Sequence, residues 1–247
     1  MSALEGRTAL VTGATAGIGR AVAVQLADRG AEVVVHGRDP RRGAEVVAQI
    51  EGRGGRARFV AADLADADDV ARLAAAAGEV DILVNNAGMY TSLGTPDTTA
   101  ADFDRHLAVN TRAPYLLVGA LAPGMAKRGR GAIVNVTSTA ATSAAPVGTA
   151  YGASKAAMEL LTRSWATEFG AAGVRVNGVS PGPVRTEGSE PLIAAHPGML
   201  AGANIRGRIG EPDEIADVVL FLVEDRSSYV NGTVVLANGG ERSALPG

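Results

Sequence analysis

Tyr151 and Lys155 are four residues apart in the segment Tyr-Gly-Ala-Ser-Lys. On a helix, side chains at this spacing lie one above the other, so the phenol and the ammonium can share one site. A phenol titrates at about pH 10, and acid–base work near neutrality needs a lower pKa, at a cost of about 4 kcal/mol. An adjacent ammonium favours the phenolate and supplies part of this change. The spacing therefore predicts proton transfer at Tyr151, the alternative being an exposed aromatic and a solvated lysine on an ordinary helix.

The length and the charge indicate one domain that acts on small molecules. The 247 residues suit one large α/β unit, and no linker or internal repeat divides them, so we expect residues 1–247 to form a single domain. The net charge of −3 gives no electrostatic case for binding nucleic acid or an anionic membrane. We therefore expect a small-molecule substrate.

Other features of the composition exclude classes of site. The chain contains no cysteine, which excludes disulfides and thiolate chemistry. Its three histidines, His36, His106 and His196, lack metal-ligand spacing, so no metal is expected. The N-terminal residues lack a basic region leading into an apolar run, and no apolar stretch of 18 residues occurs, so we expect a cytoplasmic protein.

Seven short apolar runs alternate with segments of helical length. The runs cover residues 8–11, 32–36, 58–61, 82–84, 132–136, 175–179 and 233–236. They are rich in valine and isoleucine, whereas the segments between them carry Ala, Leu, Glu and Arg at helical spacing. This alternation predicts an α/β fold with a parallel sheet covered on both faces. Such sheets bind ligands at the carboxyl ends of their strands.

The first run leads into a glycine-rich turn, Gly13-Ala-Thr-Ala-Gly17-Ile-Gly19, and then into a helical segment at residues 20–29. Glycines at such a turn let the backbone approach a pyrophosphate, which binds the amide groups and the positive dipole end of the helix. The spacing departs from the common dinucleotide fingerprint. The turn therefore predicts dinucleotide binding, with a plain glycine-rich turn as the alternative.

The second run ends in Gly37-Arg38-Asp39-Pro40, where dinucleotide folds contact the adenosine ribose. Pro40 suits the first position of a helix and Asp39 suits the cap, which leaves Arg38 facing the ribose. An acidic residue there would repel a 2′-phosphate, whereas a guanidinium can form two charge-assisted bonds to it. We therefore expect NADP(H) to be preferred, with NAD(H) possible. Arg41 and Arg42 either add positive potential nearby or are simply solvated on the next helix.

Further polar residues follow the later strands. Asp63, at the end of the third run, would bind an adenine amino group or cap the next helix, and both readings stay open. Asn110 stands in mid-helix, which is unfavourable by propensity, so it either faces solvent or has a function. Thr99 and Asp102 resemble a capping box. Ser138 lies thirteen residues before Tyr151, at a strand end from which a loop could return it to the phenol.

In order and spacing these segments resemble the short-chain dehydrogenase/reductase family, from about Arg7 to Gly240. The matching positions are Thr12-Gly13-x-x-x-Gly17-x-Gly19, Asp63, Asn85-Asn86-Ala87-Gly88, Asn110, Ser138, Tyr151-x-x-x-Lys155, Asn177, Pro181-Gly182 and residues 208–216. Within the family, the sequence is similar to the 3-oxoacyl-[acyl-carrier-protein] reductase-like members. The resemblance implies a single doubly wound Rossmann-type domain with a seven-stranded parallel sheet. It also implies a nicotinamide-dependent oxidoreductase that acts on a ketone or a secondary alcohol. The departure is Asn238-Gly-Gly, where many members have Asp-Gly-Gly, and it bears on subunit packing.

The resemblance also implies roles for the catalytic residues. Tyr151 would be the general acid and base, and Ser138 would hydrogen-bond the same substrate oxygen. Lys155 would depress the pKa of Tyr151 and hold the nicotinamide ribose. Asn110 would position a water that links Lys155 to solvent.

The cofactor contacts implied by the resemblance extend over several strand ends. They are Gly13, Thr15, Ala16, Gly17, Ile18, Gly19, Arg38, Asp63, Leu64, Asn86, Ala87, Gly88, Tyr151, Lys155, Pro181, Gly182, Val184 and Thr186. Gly13, Ile18 and Gly19 would contact phosphate. Thr186 would hold the nicotinamide carboxamide, or else cap a helix. Ala16 stands where many NADP-preferring members carry a second basic residue.

Residues 187–208 would form a lid over the substrate, or else a plain surface helix pair. Met89, Tyr90, Thr139, Ala140 and Val147 adjoin motif residues and would line the pocket.

The resemblance implies a homotetramer, and the helix at residues 151–169 carries apolar residues, including Leu160 and Trp165, that a second subunit would cover. An acyl carrier protein is a less favoured partner, since it needs a basic patch near the pocket, for which Lys127, Arg128 and Arg130 are candidates.

Two other classes of function remain as alternatives. A non-catalytic dinucleotide sensor needs the binding motifs without Ser138 and Tyr151. A relative with lyase-type chemistry would show a changed Lys155 or an eroded glycine turn.

Overall fold

The computed structural model describes residues 3–143 and 147–241. In this part of the chain seven strands form one parallel sheet in the order β3-β2-β1-β4-β5-β6-β7. The strands are β1 (Thr8–Val11), β2 (Glu32–Gly37), β3 (Arg56–Ala61), β4 (Ile82–Asn85), β5 (Gly131–Val136), β6 (Val174–Pro181) and β7 (Val234–Ala237). Each predicted apolar run coincides with one of them. The doubly wound Rossmann-type α/β fold with its seven-stranded parallel sheet is thereby confirmed.

Helices cover both faces of this sheet. They are α1 (Gly17–Asp28), α2 (Pro40–Gly52), α3 (Ala67–Ala77), α4 (Ala100–Leu107), α5 (Ala113–Lys127), α6 (Thr149–Gly170), α7 (Glu190–Ala195), α8 (Pro197–Gly202) and α9 (Pro212–Val223). Apolar side chains of α1, α2 and α9 form the core on one face, and those of α3, α5 and α6 form the core on the other. None of the described helices is both long and apolar enough to cross a membrane.

The predicted helix caps are mostly confirmed. Asp39 caps α2, because its carboxylate accepts hydrogen bonds from the Arg41 and Arg42 amides at 2.9 and 3.4 Å. Thr99 forms a capping box with Asp102 at the start of α4. The alternative of Asp63 as the cap of the next helix is wrong, because Asp66 caps α3.

The order of the strands reverses beside β1, which lies between β2 and β4. In open sheets of this kind, the carboxyl ends of the two strands on either side of such a point leave a crevice for a ligand. Here the crevice lies between the glycine-rich turn after β1 and the asparagine turn after β4. Thr12 closes its floor, since its hydroxyl accepts hydrogen bonds from the Asn86 and Ala87 amides at 3.0 and 3.1 Å.

Candidate active site

A cavity of about 890 Å³ occupies the carboxyl edge of the sheet. Its walls are the glycine-rich turn, the ends of β2 to β6, the start of α6 and residues 186–203. Of the predicted site residues, those that line it are Gly13, Thr15, Ala16, Gly17, Ile18, Arg38, Asp63, Leu64, Asn86, Ala87, Gly88, Ser138, Tyr151, Lys155, Pro181, Gly182, Val184 and Thr186. Gly19 and Asn110 lie behind the wall. The fold therefore gathers residues from across the chain into one elongated site.

The glycine-rich turn leaves room that any larger residue would fill. Gly13 has a φ of +64°, and a Cβ there would lie 2.9 Å from the Ala87 Cα. A Cβ on Gly17 would lie 2.8 Å from Thr186 Cγ2. Ala16, at the start of α1, offers no side-chain acceptor to the first helix amides, which suits them to an anionic ligand. The turn fits a pyrophosphate.

Gly19 has a different position from the other two glycines. It is buried, and a Cβ there would lie 2.3 Å from the Gly13 carbonyl oxygen. Its absence of a side chain therefore lets α1 pack closely against the turn. The phosphate contact expected of Gly19 stays a prediction.

His36 supports the turn from below, a role that the sequence reasoning missed. The Gly13 amide donates to His36 Nδ1 at 3.1 Å, and His36 Nε2 lies 3.2 Å from the Ala62 carbonyl oxygen. Burial lowers the pKa of His36, so the neutral ring accepts at Nδ1 and donates at Nε2. The imidazole thus fixes the turn to the ends of β2 and β3. The sequence signal that could have indicated this role is the position of His36, a polar residue at the end of the apolar second strand, next to the strand that leads into the turn.

The adenosine end of the cavity is positively charged. Gly37 leaves room for the Thr15 side chain, because a Cβ at position 37 would lie 2.5 Å from Thr15 Cγ2 and would require Thr15 to move. Arg38 follows it, is exposed, and makes no ion pair among the described residues. Arg42 is not simply solvated, since its guanidinium pairs with Glu187 at 2.5 Å.

Ser138, Tyr151 and Lys155 converge at the inner end of the cavity. Tyr151 and Lys155 lie one turn apart on α6, with Lys155 Nζ 5.8 Å from the centre of the Tyr151 ring. Ser138 follows β5, and its side chain acts on the phenol to lower the pKa of Tyr151. Lys155 donates to the Val136 carbonyl oxygen at 2.8 Å. The predicted sharing of one site is confirmed in the geometry.

The predicted direction of the Tyr151 pKa is wrong for this structure. Burial raises the pKa of Tyr151 and outweighs the opposite effect of Ser138. Burial also lowers the pKa of Lys155 from 10.5 to about 8. Removal from water by burial is thus the main cause of both pKa changes.

Asn110 is buried, so the alternative in which it faces solvent is wrong. It lies in one turn of π-helix, residues 108–112, which joins α4 to α5. Its amide exchanges two hydrogen bonds of 2.9 Å with the Met89 backbone and donates to Ser154 Oγ at 2.9 Å. Ser154 Oγ in turn donates to the Tyr151 carbonyl oxygen at 2.7 Å. Asn110 therefore ties the turn after β4 to the helix that carries Tyr151.

Residues 187–208 cover the cavity with the helix pair α7 and α8. Ile193 and Leu200 form a small apolar cluster with Ile209 and also line the cavity. Tyr90 fastens this segment, because its hydroxyl donates to the Gly188 carbonyl oxygen at 2.6 Å. The Thr186 hydroxyl accepts from the Ser189 amide at 3.1 Å, so it stabilises the turn before α7 as well as lining the cavity.

Comparison with known proteins assigns the family. The family described as enoyl-(acyl carrier protein) reductase matches residues 13–241. The chain belongs to the short-chain dehydrogenase/reductase family. A solved member, described by that family name, is 50% identical and has a TM-score of 0.91, over 97% of this chain and 98% of its own.

Two further solved members of the family contain dinucleotides. A 3-oxoacyl-(acyl-carrier-protein) reductase from Agrobacterium tumefaciens with NADP bound is 36% identical, with a TM-score of 0.90, over 96% of this chain and 95% of its own. A 3-oxoacyl-[acyl-carrier protein] reductase from Brucella melitensis with bound NAD is 33% identical, with a TM-score of 0.90, over 98% and 94%. The chain is therefore a dehydrogenase/reductase of this family, whose named relatives act on alcohol or ketone groups and whose solved relatives include proteins with NADP or NAD bound.

The basic cluster considered for a carrier protein lies at the wrong edge of the sheet for that role. Arg130 immediately precedes β5, at its amino end, and pairs with Asp81 at 3.3 Å. Arg128 donates to the Val80 carbonyl oxygen at 2.5 Å at the same edge. The short-chain dehydrogenase/reductase site opens at the opposite, carboxyl edge. This candidate cluster therefore does not provide a basic docking patch at the mouth of the cavity.

Proposed function

We propose that this protein is an NADP(H)-preferring oxidoreductase that interconverts a ketone and a secondary alcohol, with Tyr151 as the general acid and base. The observation that carries the proposal is the convergence of Ser138, Tyr151 and Lys155 at the inner end of a glycine-lined cavity. The nicotinamide, when bound, supplies or accepts the hydride. The glycine turn and the amino end of α1 would hold its pyrophosphate.

The side chains supply the proton chemistry. During reduction the Tyr151 hydroxyl donates its proton to the carbonyl oxygen, and the Ser138 hydroxyl donates a hydrogen bond to the same atom. The raised pKa of Tyr151 keeps the phenol protonated near neutrality, which suits this direction. Lys155, with its pKa of about 8, is mostly protonated there and can return a proton to the phenolate. The fixed position of Asn110 supports the proposed water that would resupply Lys155.

The preference for NADP(H) rests on Arg38. A charge-assisted hydrogen bond contributes roughly 1.5 to 3 kcal/mol, which corresponds to a preference of about tenfold to a hundredfold. Because Thr15 excludes a side chain at Gly37, an acidic residue cannot replace it there without a rearrangement. Ala16 offers no second cation, so only Arg38 would bind the 2′-phosphate from this side. Specificity constants with both cofactors, for the parent and for Arg38→Ala, test this. A parent that prefers NAD(H), or a ratio unchanged by the substitution, would contradict it.

A carbonyl panel tests the reaction class. The proposal predicts that NADPH is consumed with at least some ketones and that an alcohol accumulates in equal amount. A dinucleotide sensor would bind the cofactor without turnover. Lyase-type chemistry would change the substrate without consuming the cofactor.

A homotetramer is the assembly that we propose. On α6 the exposed residues include Leu160, and on α5 they include Tyr115 and Leu116, so an apolar face continues across both helices. A second apolar region, with Tyr229 and Leu236 exposed, lies near β7. Two self-complementary faces are what a tetramer with dihedral symmetry needs. The sequence predicts Trp165 on this exposed face. It is instead buried in the core.

Three other expectations remain proposals. They are the single domain over residues 1–247, the opening and closing of residues 187–208 as a lid, and the cytoplasmic location. Limited proteolysis, hydrogen exchange with and without cofactor, and cell fractionation test them in that order.

A further inference from the structure

We infer that the substrate of this site is an uncharged, largely apolar ketone or secondary alcohol. The inference rests on the proposed function and concerns the end of the cavity between Tyr151 and the helix pair α7 and α8. We call this end the substrate end.

The walls of the substrate end are apolar. Met89, Tyr90 and Val147 line the cavity on the side of the sheet, and Leu192, Ile193 and Leu200 line it from the helix pair. Apolar side chains thus contribute to both walls of this end of the cavity. A substrate gains affinity here by removing its own apolar surface from water.

Tyr90 presents a ring and not a polar group to this space. Its ring centre lies 6.0 Å from that of Tyr151, with the two planes at 63° in an edge-on arrangement. Its hydroxyl is engaged by the Gly188 carbonyl oxygen at 2.6 Å. The aromatic ring therefore forms part of the apolar wall, next to the position of the substrate oxygen.

The cations of the cavity are at its other end or already have partners. Arg38 and Arg42 follow β2 at the adenosine end, and Arg42 is paired with Glu187. The Arg105 guanidinium, on α4, lies 3.9 Å from the carboxylate of Asp63, which follows β3. Lys155 is held by the Val136 carbonyl beneath the phenol.

The two charged residues that line the cavity on the side of the helix pair are acidic. Glu187 precedes α7 and is already paired with Arg42, so the remaining acidic group is Glu241, whose backbone bridges Asn204 just after α8. A carboxylate or phosphate on the substrate would meet no free cation among the described residues of this end. Burying an anion without a partner is strongly unfavourable, so the charge balance selects neutral substrates.

One experiment compares two ligands of similar size, the anionic para-acetylbenzoate and its uncharged methyl ester, which carries one additional methyl group. Both binding, by calorimetry on the protein saturated with NADP+, and turnover with NADPH are measured. We expect the ester to bind and to react at least about tenfold better than the acid. Equal or tighter binding of the acid would overturn the inference. Tighter binding of the ester with no turnover of any carbonyl compound would support the inference and contradict the proposed oxidoreductase function.

A charge placed in the substrate end provides the second test. Leu192→Lys puts an ammonium on the cavity wall, and Met199→Lys puts the same charge on the exposed surface of the neighbouring helix. We expect Leu192→Lys to improve binding of the acid relative to the ester by about tenfold or more, and Met199→Lys to leave the ratio unchanged. An unchanged ratio in a folded Leu192→Lys protein would overturn the inference. The ligand pair on the parent decides the question if this variant does not fold.

Discussion

Replacing Lys155 by methionine should stabilise the protein near neutrality while destroying its activity. Lys155 is only 3% exposed, and its ammonium donates to the Val136 carbonyl oxygen at 2.8 Å. Burial lowers the pKa of Lys155 from 10.5 to about 8. One pKa unit corresponds to about 1.4 kcal/mol, so keeping the charge inside costs the folded state about 3 kcal/mol at neutral pH. Methionine has similar length and no charge.

The pH dependence isolates this effect from other consequences of the substitution. The pKa of Lys155 is lower in the folded state than in the unfolded state, so the unfolded chain binds the proton more tightly. The contribution of Lys155 to stability is therefore fully present above pH 10.5 and is lost as the pH falls towards about 8. The parent should therefore gain stability relative to Lys155→Met between about pH 7 and about pH 10, by about 2 to 3 kcal/mol. The difference in the free energy of unfolding between Lys155→Met and the parent, called the gap below, therefore narrows by that amount.

Urea unfolding at several pH values, followed by the fluorescence of the buried Trp165, measures the gap. Lys127→Met is the matched control, since Lys127 is the other lysine of the chain and is exposed. Its gap from the parent should not depend on pH. A gap for Lys155→Met that stays constant from pH 7 to pH 10 would refute the reasoning.

Three further substitutions test separate contacts. Glu187→Gln frees Arg42, so it should tighten NADP(H) binding about threefold without changing NAD(H) binding, as measured by nicotinamide fluorescence. The control Glu190→Gln should change the binding of neither cofactor. Tyr90→Phe removes the hydrogen bond to the helix-pair segment and should raise KM about twofold to tenfold with kcat nearly unchanged; an unchanged KM would show that the contact holds nothing. Leu160→Arg places a charge on a residue that is 62% exposed, and should reduce the mass seen by light scattering; a monomeric parent would reject the proposed tetramer.

Local patterns in the sequence were sufficient to predict the sheet. Most strands are short runs rich in valine, isoleucine, leucine or alanine, because a parallel strand covered on both faces has no polar side. The edge strand β3 differs, since it carries Arg56 and Arg58. The cap at Asp39 was also predictable, since a cap, a proline and a helix follow directly along the chain. Arg38 was left facing the cavity as a consequence.

Properties that depend on distant parts of the chain were not predictable. The pair between Arg42 and Glu187 joins residues 145 positions apart, and no local pattern indicates it. The pKa of Tyr151 depends on how far the folded chain removes it from water, which spacing on a helix does not reveal. The π-turn at Asn110 is a local irregularity that propensities do not register.

Substitution of Tyr151 by phenylalanine tests the central claim most directly. The ring keeps its packing and the proton donor is lost, so we expect kcat to fall by about a hundredfold to ten-thousandfold. Binding of the dinucleotide should stay within about threefold of the parent, since the glycine turn and Lys155 remain. Tyr90→Phe, the neighbouring aromatic at 6.0 Å, is the control that should retain kcat. Activity of Tyr151→Phe within about threefold of the parent would contradict the assignment of Tyr151 as the general acid and base.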